Sequence, residues 1–526
     1  MSSPAAVGDD FLQLLENIVG RLNLLTDDER EYFSTDVYRR LETPIAVVRP
    51  GTLEESRAVI ACAYANDVAI VPRGGGASYT AGYLPATKRA IQLDAGRLDR
   101  IVEINEQDMY VTVEPGVTWK KLDAALRSRG LRTPFRGPFS GIAATVGGTI
   151  SQNALGIGTN SWGVSCESVL AIEVITAGGD VIRTGQAGST SHKPFFRYYG
   201  PDMTGLFTGD CGALGFKALI TLKMMKLRPE FGALSFGFDT FENTVEALSR
   251  IAGHIVEEKS FALDSTLQQG QIGKSSDVST RLEMAKSVMA AARSPIQGLT
   301  QVMRMALSGS KALAAAPYAA HYIFEGQSAA EIRGKARLLR GIARGYGWEI
   351  PNSVPLVVRA TPFAPLHNVL GPAGERWVPL HGILPRSSVL SFHRELQSYL
   401  ESQRGNMERL GVRVGLIFGA LGTGSFLYEP AFYWKDAQTV YHRTVLDQDY
   451  RASIPSYPSN PEGALLVQAM REAVIDQYHR YSAGHLQVGK QYPLLRDRDP
   501  AVVSLLRALK VAVDPKGLFN PGALGL

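Results

Sequence analysis

Apolar residues in this chain occur first at helical spacing and then in short runs. From Phe11 to Ile18 the spacing is helical, which predicts a helical leader over residues 1–45. The run AVVRP, the amphipathic stretch TLEESRAVIACAYAND and the run VAIVP follow. The stretch opens with Thr52 and Glu55 stands three residues later, which is a capping-box signature. The pattern predicts a strand, a helix and a strand that lead into a glycine-rich loop.

The pattern changes after Pro229. HYIFEG and WVPLHGILP are each followed by a helical stretch, and VRVGLIFGALG precedes GSFLYEPAFYW. These passages predict an antiparallel sheet with helices on one face. Residues 279–316 are rich in alanine with a basic residue every few positions, and we expect a helix across this second part rather than a membrane-surface helix. The predicted segments are 1–45, 46–229, 230–480 and 481–526.

Size and composition narrow the class of protein. A chain of 526 residues exceeds the size of one hydrophobic core, so at least two packed units are expected. It lacks an apolar window long enough for a membrane span, and its first residues carry acids where a signal peptide is basic. Cys62, Cys166 and Cys211 are too scattered for a disulfide scaffold or metal knuckle, which favours the cytoplasm. The net charge of +5 is not concentrated, so nucleic-acid binding gains no support.

Three glycine-rich segments carry the candidate chemistry: Val71–Gly82, Thr145–Gly158 and Gly205–Gly215. In the first, three consecutive glycines follow a strand and can form a concave row of N–H groups that binds phosphate oxygens. Taken alone, this motif could equally be a mobile loop between strands. Three such segments together suit a long dinucleotide, although Pro85 excludes the usual dinucleotide fingerprint.

With VEPGVTW and DPKGLFNPG, these segments make the chain resemble the flavoprotein superfamily of vanillyl-alcohol oxidase and p-cresol methylhydroxylase, which includes D-lactate and glycolate dehydrogenases. The resemblance extends from Ala46 to Gly525 and is closest, in the second part, to the vanillyl-alcohol oxidase branch. It implies an α+β fold, with a two-subdomain FAD-binding domain of the p-cresol methylhydroxylase type (46–229), an antiparallel-sheet cap (230–480) and a C-terminal segment (481–526) returning to the FAD domain. It also implies FAD, a small-molecule substrate, O2 or another electron acceptor, and a homodimer or higher homo-oligomer.

The resemblance implies that FAD is held mainly by backbone groups. Arg73–Ser78 would wrap the pyrophosphate, and Pro115 and Gly116 would turn the chain beside the adenine. The complete set of implied cofactor residues is Pro72, Arg73, Gly74, Gly75, Gly76, Ala77, Ser78, Pro115, Gly116, Thr145, Gly147, Gly148, Ser151, Gly156, Gly158, Gly212, Leu214 and Gly215.

Covalent attachment of the flavin is judged from two positions. The histidine that follows the first glycine run in the berberine-bridge branch corresponds to Ala77. The cap histidine of vanillyl-alcohol oxidase lies near His381, on a strand resembling WVPLHGILP. We therefore predict dissociable FAD, with a covalent link at His381 as the alternative.

The proton acceptor is predicted near the C-terminus. His485, in SAGHLQVGKQY, falls in a stretch that resembles the family segment on the substrate side of the flavin, and an imidazole titrates near neutral pH. Lys490 could balance the charge of reduced flavin. The alternatives are a structural histidine and a surface lysine.

The substrate class is less well specified by the resemblance. Phenol-oxidising members hold a phenolate with two tyrosines and an arginine, and here only Tyr79 and Tyr481 stand beside the tyrosine positions. An aspartate that those members carry falls at Val164. We predict an oxidase or dehydrogenase that takes hydride from the carbinol or benzylic carbon of a small alcohol or 4-substituted phenol, with an aromatic substrate favoured.

Two other functions remain open. A D-2-hydroxy-acid dehydrogenase is the rival enzyme class, but its metal-assisted members carry HxGDGNxH, where this chain has PLHGILP, and a glutamate at the position of Gly484. We therefore predict no metal site, since isolated histidines rarely form one. The other possibility is a non-catalytic flavin-binding protein.

Overall fold

The computed structural model describes residues 9–268 and 316–526, so the helix expected over 279–316 falls outside the described residues up to 315. The strands are β1 (Leu24–Leu25), β2 (Ala46–Val48), β3 (Ala69–Arg73), β4 (Ala90–Asp94), β5 (Ile101–Asn105), β6 (Tyr110–Val113), β7 (Leu131–Arg132), β8 (Val169–Ile175), β9 (Val181–Arg183), β10 (Phe216–Lys223), β11 (Met225–Lys226), β12 (Glu230–Phe238), β13 (Lys259–Asp264), β14 (Tyr318–Gly326), β15 (Trp348–Ile350), β16 (Arg376–Pro379), β17 (Gly382–Pro385), β18 (Val412–Leu421) and β19 (Ser425–Trp434). The helices are α1 (Asp9–Val19), α2 (Arg30–Phe33), α3 (Leu53–Ala65), α4 (Trp119–Arg127), α5 (Val146–Gln152), α6 (Thr159–Trp162), α7 (Met203–Leu206), α8 (Phe241–Ala252), α9 (Ala329–Ala343), α10 (Ser353–Ala360), α11 (Val389–Ser402), α12 (Arg404–Leu410), α13 (Val440–Val445), α14 (Gln448–Ser453), α15 (Pro461–Arg480) and α16 (Pro500–Val513).

Contacts divide the described residues into two compact units. The first unit contains the described residues up to Leu155, together with Val164–Lys226 and Leu486–Leu526. The second contains Gly156–Gly163 and the described residues of Leu227–His485. The segment limits predicted at residues 45, 229 and 480 stay predictions.

Two separate sheets make up most of the first unit. One has the order β1-β2-β4-β3, with β4 parallel to both β2 and β3. The other has the order β5-β6-β10-β8-β9 and is antiparallel throughout. The β8–β9 pair encloses a turn at Gly178 and Gly179. This arrangement corresponds to the two α+β subdomains expected for the N-terminal half.

Local sequence signals determine where the helices of the first unit begin. The Thr52 side chain accepts a hydrogen bond from the Glu55 N–H at 3.0 Å, as the capping box predicts. The Glu55 carboxylate accepts from the Gly51 N–H at 2.7 Å, one residue earlier than in the ideal motif. The leader helix α1 buries Phe11 and Leu15 in the same core as α3 and the first sheet.

The second unit is built on an eight-stranded antiparallel sheet in the order β15-β12-β14-β13-β18-β19-β16, with β17 also pairing with β19. Successive side chains of a strand point to opposite faces of the sheet. On one face, Phe241 of α8 packs against Phe418 and Tyr428, and it stacks on His393 of α11 with ring centroids 3.7 Å apart. Helices therefore cover this face, as predicted.

The sequence pattern predicted one strand in the segment WVPLHGILP, but the structure contains two. The segment forms β16 and β17, and the pairing with β19 is interrupted at Leu380 and His381. By register, Leu380 lies opposite Pro430, which accepts a hydrogen bond from the Leu380 N–H at 2.9 Å but has no N–H to donate. His381 consequently sits at a break in the ladder.

Among the helices of residues 9–268 and 316–526, none combines the length and apolar content that a membrane span requires.

Candidate active site

The three glycine-rich segments converge in the first unit. A Cβ atom built on Gly74 would lie 3.5 Å from the Cα of Gly148, at the first turn of α5. One built on Gly212 would lie 3.2 Å from the Cγ of Pro72, at the end of β3. The three segments approach one another closely at these glycines, because glycine has no side chain. The structure thus brings together most of the predicted cofactor residues.

The first glycine loop leaves a row of amide groups unsatisfied. None of the N–H groups of Gly74–Ser78 donates a hydrogen bond to a residue that the structure describes. Two carbonyl oxygens of the loop are occupied, because the Tyr83 hydroxyl donates to that of Gly76 at 2.7 Å and the Val37 N–H donates to that of Ser78 at 3.4 Å. Beside the loop, the buried guanidinium of Arg73 stacks between the rings of Tyr32, Phe33 and Tyr83. Its Nη2 has no hydrogen-bond acceptor among the described residues.

An anionic group of diphosphate size fits this loop. Successive backbone N–H groups form a nest that binds phosphate oxygens, and a buried guanidinium adds positive charge. Gly75 lets the loop lie against the strand-to-helix connection, because a Cβ there would overlap the Ala143 carbonyl oxygen. The loop therefore has the donors, the charge and the close backbone packing that the pyrophosphate of a dinucleotide needs.

The other predicted cofactor residues lie in positions that support the loop. Thr145 is the N-cap of α5 and accepts from the Gly148 N–H at 3.2 Å. Gly147 donates to the Pro115 carbonyl at 2.9 Å, and Gly116 donates to Leu98 at 2.7 Å. Ser151 is in α5, and Leu214 and Gly215 lead into β10. Gly156 and Gly158 belong to the second unit instead.

Asn520 is a connecting residue that the sequence analysis did not single out. Its side-chain amide donates to the carbonyl oxygens of Gly82 and Cys211, each at 2.6 Å, and its Oδ1 accepts from Lys490 Nζ. Burial lowers the pKa of Lys490 to about 8. The segment DPKGLFNPG, which contains this asparagine, was visible in the sequence. The sequence did not reveal which loops the asparagine would join.

Two further buried lysines were also missed. Lys217 on β10 pairs with Asp210 at 2.5 Å, and both side chains are almost fully buried. Lys510 on α16 donates to the carbonyl oxygens of Ala213 and Phe519, each at 2.7 Å. These contacts hold the third glycine segment from both sides. Burial raises the pKa of the Cys211 thiol in that segment to about 12, so it is protonated and unreactive.

The candidate base lies in the second unit with a defined orientation. The ring Nδ1 of His485 lies 2.8 Å from the carbonyl oxygen of His381, and a carbonyl can only accept. Nδ1 therefore carries the proton, and in the neutral ring the lone pair is on Nε2. Gly484 forms a two-way bridge with Ile383 of β17, and the ring of His485 meets that of Tyr478 edge-on at 5.6 Å. The base is held by its backbone and by one ring nitrogen.

The two predicted tyrosines differ in their surroundings. Tyr481, at the end of α15, donates its hydroxyl to the Glu395 carboxylate of α11 at 2.9 Å, and Arg480 pairs with the same carboxylate. Its position is thus tied to the helical layer of the second unit. Tyr79 is half-buried in the first unit, at the end of the glycine loop. His381 is fully buried at the β16–β17 break.

An ionisable pair on the cap sheet was not foreseen. Lys259 of β13 and Glu429 of β19 lie on the face opposite the α8 and α11 layer, together with Phe261, Leu263 and Tyr433. Burial raises the pKa of Glu429 to about 7, although the positive charge of Lys259 acts to lower it. Burial lowers the pKa of Lys259 to about 8. The available signal was an ionisable residue inside each of two apolar runs.

Within the described residues, no three His, Cys, Asp or Glu side chains are grouped so that they could share a metal ion.

Two family profiles match the first unit. Residues 44–185 match the FAD binding domain, and residues 488–524 match the C-terminal domain of FAD linked oxidases. The first range contains the first two glycine-rich segments, and the second contains Lys490 and Asn520. FAD is therefore the cofactor of this chain, in agreement with the prediction.

Known proteins resemble the chain in part of the sequence and in the whole fold. The glycolate oxidase subunit GlcD of Bacillus subtilis is 32% identical over 228 residues, which are 43% of this chain and 46% of that protein. The mitochondrial D-lactate dehydrogenase (cytochrome) of Arabidopsis thaliana is 28% identical over 236 residues, 43% of this chain and 40% of that protein. The matches thus span less than half of either relative.

A solved structure of p-cresol methylhydroxylase aligns over 99% of this chain and 98% of its own, with a TM-score of 0.73 and 18% identity. This likeness confirms the predicted fold class, a p-cresol methylhydroxylase-type α+β fold with an antiparallel-sheet cap. Residues 44–185 and 488–524 therefore match FAD-linked oxidase domains, and the chain as a whole has the fold of p-cresol methylhydroxylase.

Proposed function

We propose that this FAD-linked oxidoreductase oxidises the carbinol or benzylic carbon of a small alcohol or 4-substituted phenol, with His485 as the proton acceptor. The observation that carries this proposal is the hydrogen bond between His485 Nδ1 and the His381 carbonyl oxygen, which leaves Nε2 as the basic atom. In the oxidation of an alcohol, the C–H bond breaks and its electron pair leaves as hydride. The hydroxyl proton goes to Nε2, and a carbonyl product forms.

The cofactor residues of the first unit are assigned as follows in this proposal. The N–H groups of Gly74–Ser78 hold the FAD pyrophosphate, and Arg73 stabilises its charge. Thr145, Gly147 and Gly148 keep the start of α5 close to that loop. When bound, FAD supplies the hydride acceptor. Lys490, held by Asn520, stabilises the additional negative charge after reduction.

The face of the cap sheet opposite α8 and α11 favours an aromatic substrate. Phe261, Trp377 and Tyr433 lie on that face, around Leu263 and Ile417. A flat apolar surface of this kind suits an aromatic ring. On the same face, the negative charge of Glu429 compensates the positive charge of Lys259. Lys259 is therefore not a permanent cation for a substrate carboxylate. This face would then favour a neutral ring over a small organic acid.

A second candidate function is oxidation of a D-2-hydroxy acid. The named activities of the two sequence relatives, a glycolate oxidase subunit and a D-lactate dehydrogenase, favour it. The same base would accept the hydroxyl proton, and Lys259 would then bind the substrate carboxylate once Glu429 is protonated. The two candidates differ in the substrate that reduces the flavin.

A substrate panel tests the proposal. Purified protein is mixed anaerobically with benzylic alcohols, 4-alkylphenols or D-2-hydroxy acids, and flavin absorbance near 450 nm is followed. We expect bleaching with at least one aromatic compound and at least about tenfold slower bleaching with D-lactate or glycolate. Bleaching by the hydroxy acids alone would establish the second candidate. No bleaching by any compound would support the non-catalytic reading.

We also expect the FAD to be dissociable. The imidazole of His381 is fully buried at the β16–β17 break. After acid precipitation, the yellow colour should therefore remain in the supernatant. A yellow pellet that becomes colourless in a His381→Ala variant would instead establish the covalent link.

The remaining parts of the proposal concern partners and location. The electron acceptor is O2, a quinone or a cytochrome, so the enzyme is either an oxidase or a dehydrogenase. We expect a homodimer or a higher homo-oligomer, and a cytoplasmic location.

A further inference from the structure

An aromatic segment of the first unit is exposed to solvent. Between β9 and α7 the chain reads HKPFFRYY, and Phe195, Phe196, Tyr198 and Tyr199 are 52%, 46%, 56% and 80% exposed. Soluble proteins rarely expose several large rings side by side unless the patch has a binding role. We call these four rings the aromatic patch.

The backbone beneath the aromatic patch is fixed. Arg197 points inward, donates to the Cys166 carbonyl at 2.6 Å and forms a two-contact pair with Asp202. The Gln186 N–H donates to the Phe196 carbonyl at 2.8 Å. Because residue 197 is anchored in the core, the rings on either side are held at the surface. The exposure of the patch is therefore part of the fold.

The rings also contact one another. Phe195 and Phe196 have centroids 6.4 Å apart, and Phe196 meets Tyr198 edge-on at 6.3 Å. Met203 and Leu206 of the adjoining helix α7 are exposed as well. Phe195, Phe196 and Tyr198 thus form one exposed aromatic cluster, and tyrosine, with its apolar ring and polar hydroxyl, is typical of a membrane interface.

Charge identifies the surface that this patch fits. Between Ser191 and Leu206 the charged residues are Lys193, Arg197 and Asp202. Arg197 and Asp202 neutralise each other, so Lys193 leaves the segment positive. The whole chain is also positive, at +5. A positive aromatic surface is complementary to anionic lipid headgroups, which attract lysine side chains near the bilayer surface.

The size of the patch argues against a folded protein partner. An aromatic side chain offers about 150–250 Å² in total, so four half-exposed rings present roughly 400 Å². A stable protein interface needs about 800 Å² from each partner. Shallow insertion into a bilayer surface has no such minimum, and a few inserted rings give weak, reversible binding.

We propose that the aromatic patch binds the protein peripherally to the surface of an anionic lipid bilayer. The rings enter the headgroup region and Lys193 contacts the lipid charge. This inference is independent of the substrate proposed above, because the patch contains none of the candidate site residues.

Vesicle sedimentation tests the proposal. FAD-loaded protein is mixed with sucrose-filled vesicles of phosphatidylcholine alone or with about 30% phosphatidylglycerol, and the pelleted fraction is measured. We expect the wild type to bind the anionic vesicles. The double variant Phe195→Ser/Tyr199→Ser should bind at least about tenfold more weakly, because two inserted rings are lost. Lys193→Glu should weaken binding to anionic vesicles and leave binding to neutral vesicles unchanged.

The matched control is Leu465→Ser/Leu505→Ser, which removes two exposed apolar side chains outside the patch and should bind like the wild type. Circular dichroism and flavin absorbance verify that each variant is folded and loaded. The proposal is overturned if wild-type protein pellets equally with and without vesicles, or if the patch variant binds as the wild type does. Light scattering without lipid is a second check. If the wild type is a dimer and the patch variant is a monomer, the patch binds a second copy of the chain, which would overturn the proposal.

Discussion

Replacement of Gly75 by alanine is expected to abolish FAD binding. A Cβ at this position would overlap the Ala143 carbonyl oxygen, and the backbone of the glycine loop must move to relieve the overlap. Gly75 does not have a positive φ, so space and not backbone conformation is the obstacle. The N–H groups of Gly74–Ser78 would no longer converge on one anion, and we expect affinity to fall by at least about 100-fold, or 2.7 kcal/mol. The measurement is flavin content of the purified protein and titration with added FAD.

Gly334→Ala provides the matched control. Gly334 lies in α9 of the second unit, where an added Cβ would contact no atom within 4 Å. This variant should keep its FAD and gain up to about 1 kcal/mol in free energy of unfolding, because alanine favours the helix. Circular dichroism shows whether Gly75→Ala is folded. A folded Gly75→Ala protein with wild-type flavin content would contradict the assignment of this loop.

Replacement of His485 by alanine should lower kcat by about 10² to 10⁴, the range for loss of a general base. FAD content should remain that of the wild type, because the contacts given above for the glycine loop do not involve His485. The pH dependence of kcat should also lose the acid limb that a protonated imidazole produces. Both are measured by stopped-flow reduction with the substrate identified in the panel.

Two further variants separate the base from its position. His485→Asn keeps a side-chain donor for the His381 carbonyl but has no basic nitrogen, so it should be as slow as the alanine variant. His254→Ala removes an exposed histidine of the second unit and should leave kcat unchanged. If His485→Asn retained wild-type kcat, His485 would have a positioning role and the base would be elsewhere.

The features that the sequence predicted depend on local chemistry. The Thr52 cap of α3 follows from a few adjacent residues. The glycine loop could be interpreted as an anion site for the same reason, since consecutive glycines expose backbone N–H groups wherever they occur. The convergence of the three segments was expected because together they suit a long dinucleotide, and the family resemblance supported it.

The features that the sequence did not predict depend on residues far apart in the chain. The break between β16 and β17 is caused by Pro430, which is fifty positions from Leu380 and lies opposite it only after β19 has paired. The Tyr481 hydroxyl is bound by Glu395 of another helix, and Lys259 and Glu429 share a face of the cap sheet across β18. Local propensity does not encode such pairings, because they arise from tertiary packing.

The bonds of Asn520 to Gly82 and Cys211 have a consequence for the order of assembly. Because Asn520 follows the second unit in the chain, these bonds can form only after the ribosome has synthesised that unit. Until then, the loops at Gly82 and Cys211 lack the hydrogen bonds of Asn520, and contacts between residues so far apart in the sequence form slowly. FAD should therefore be captured only after residue 520 has been synthesised, and nascent chains that stop before it should be protease-sensitive.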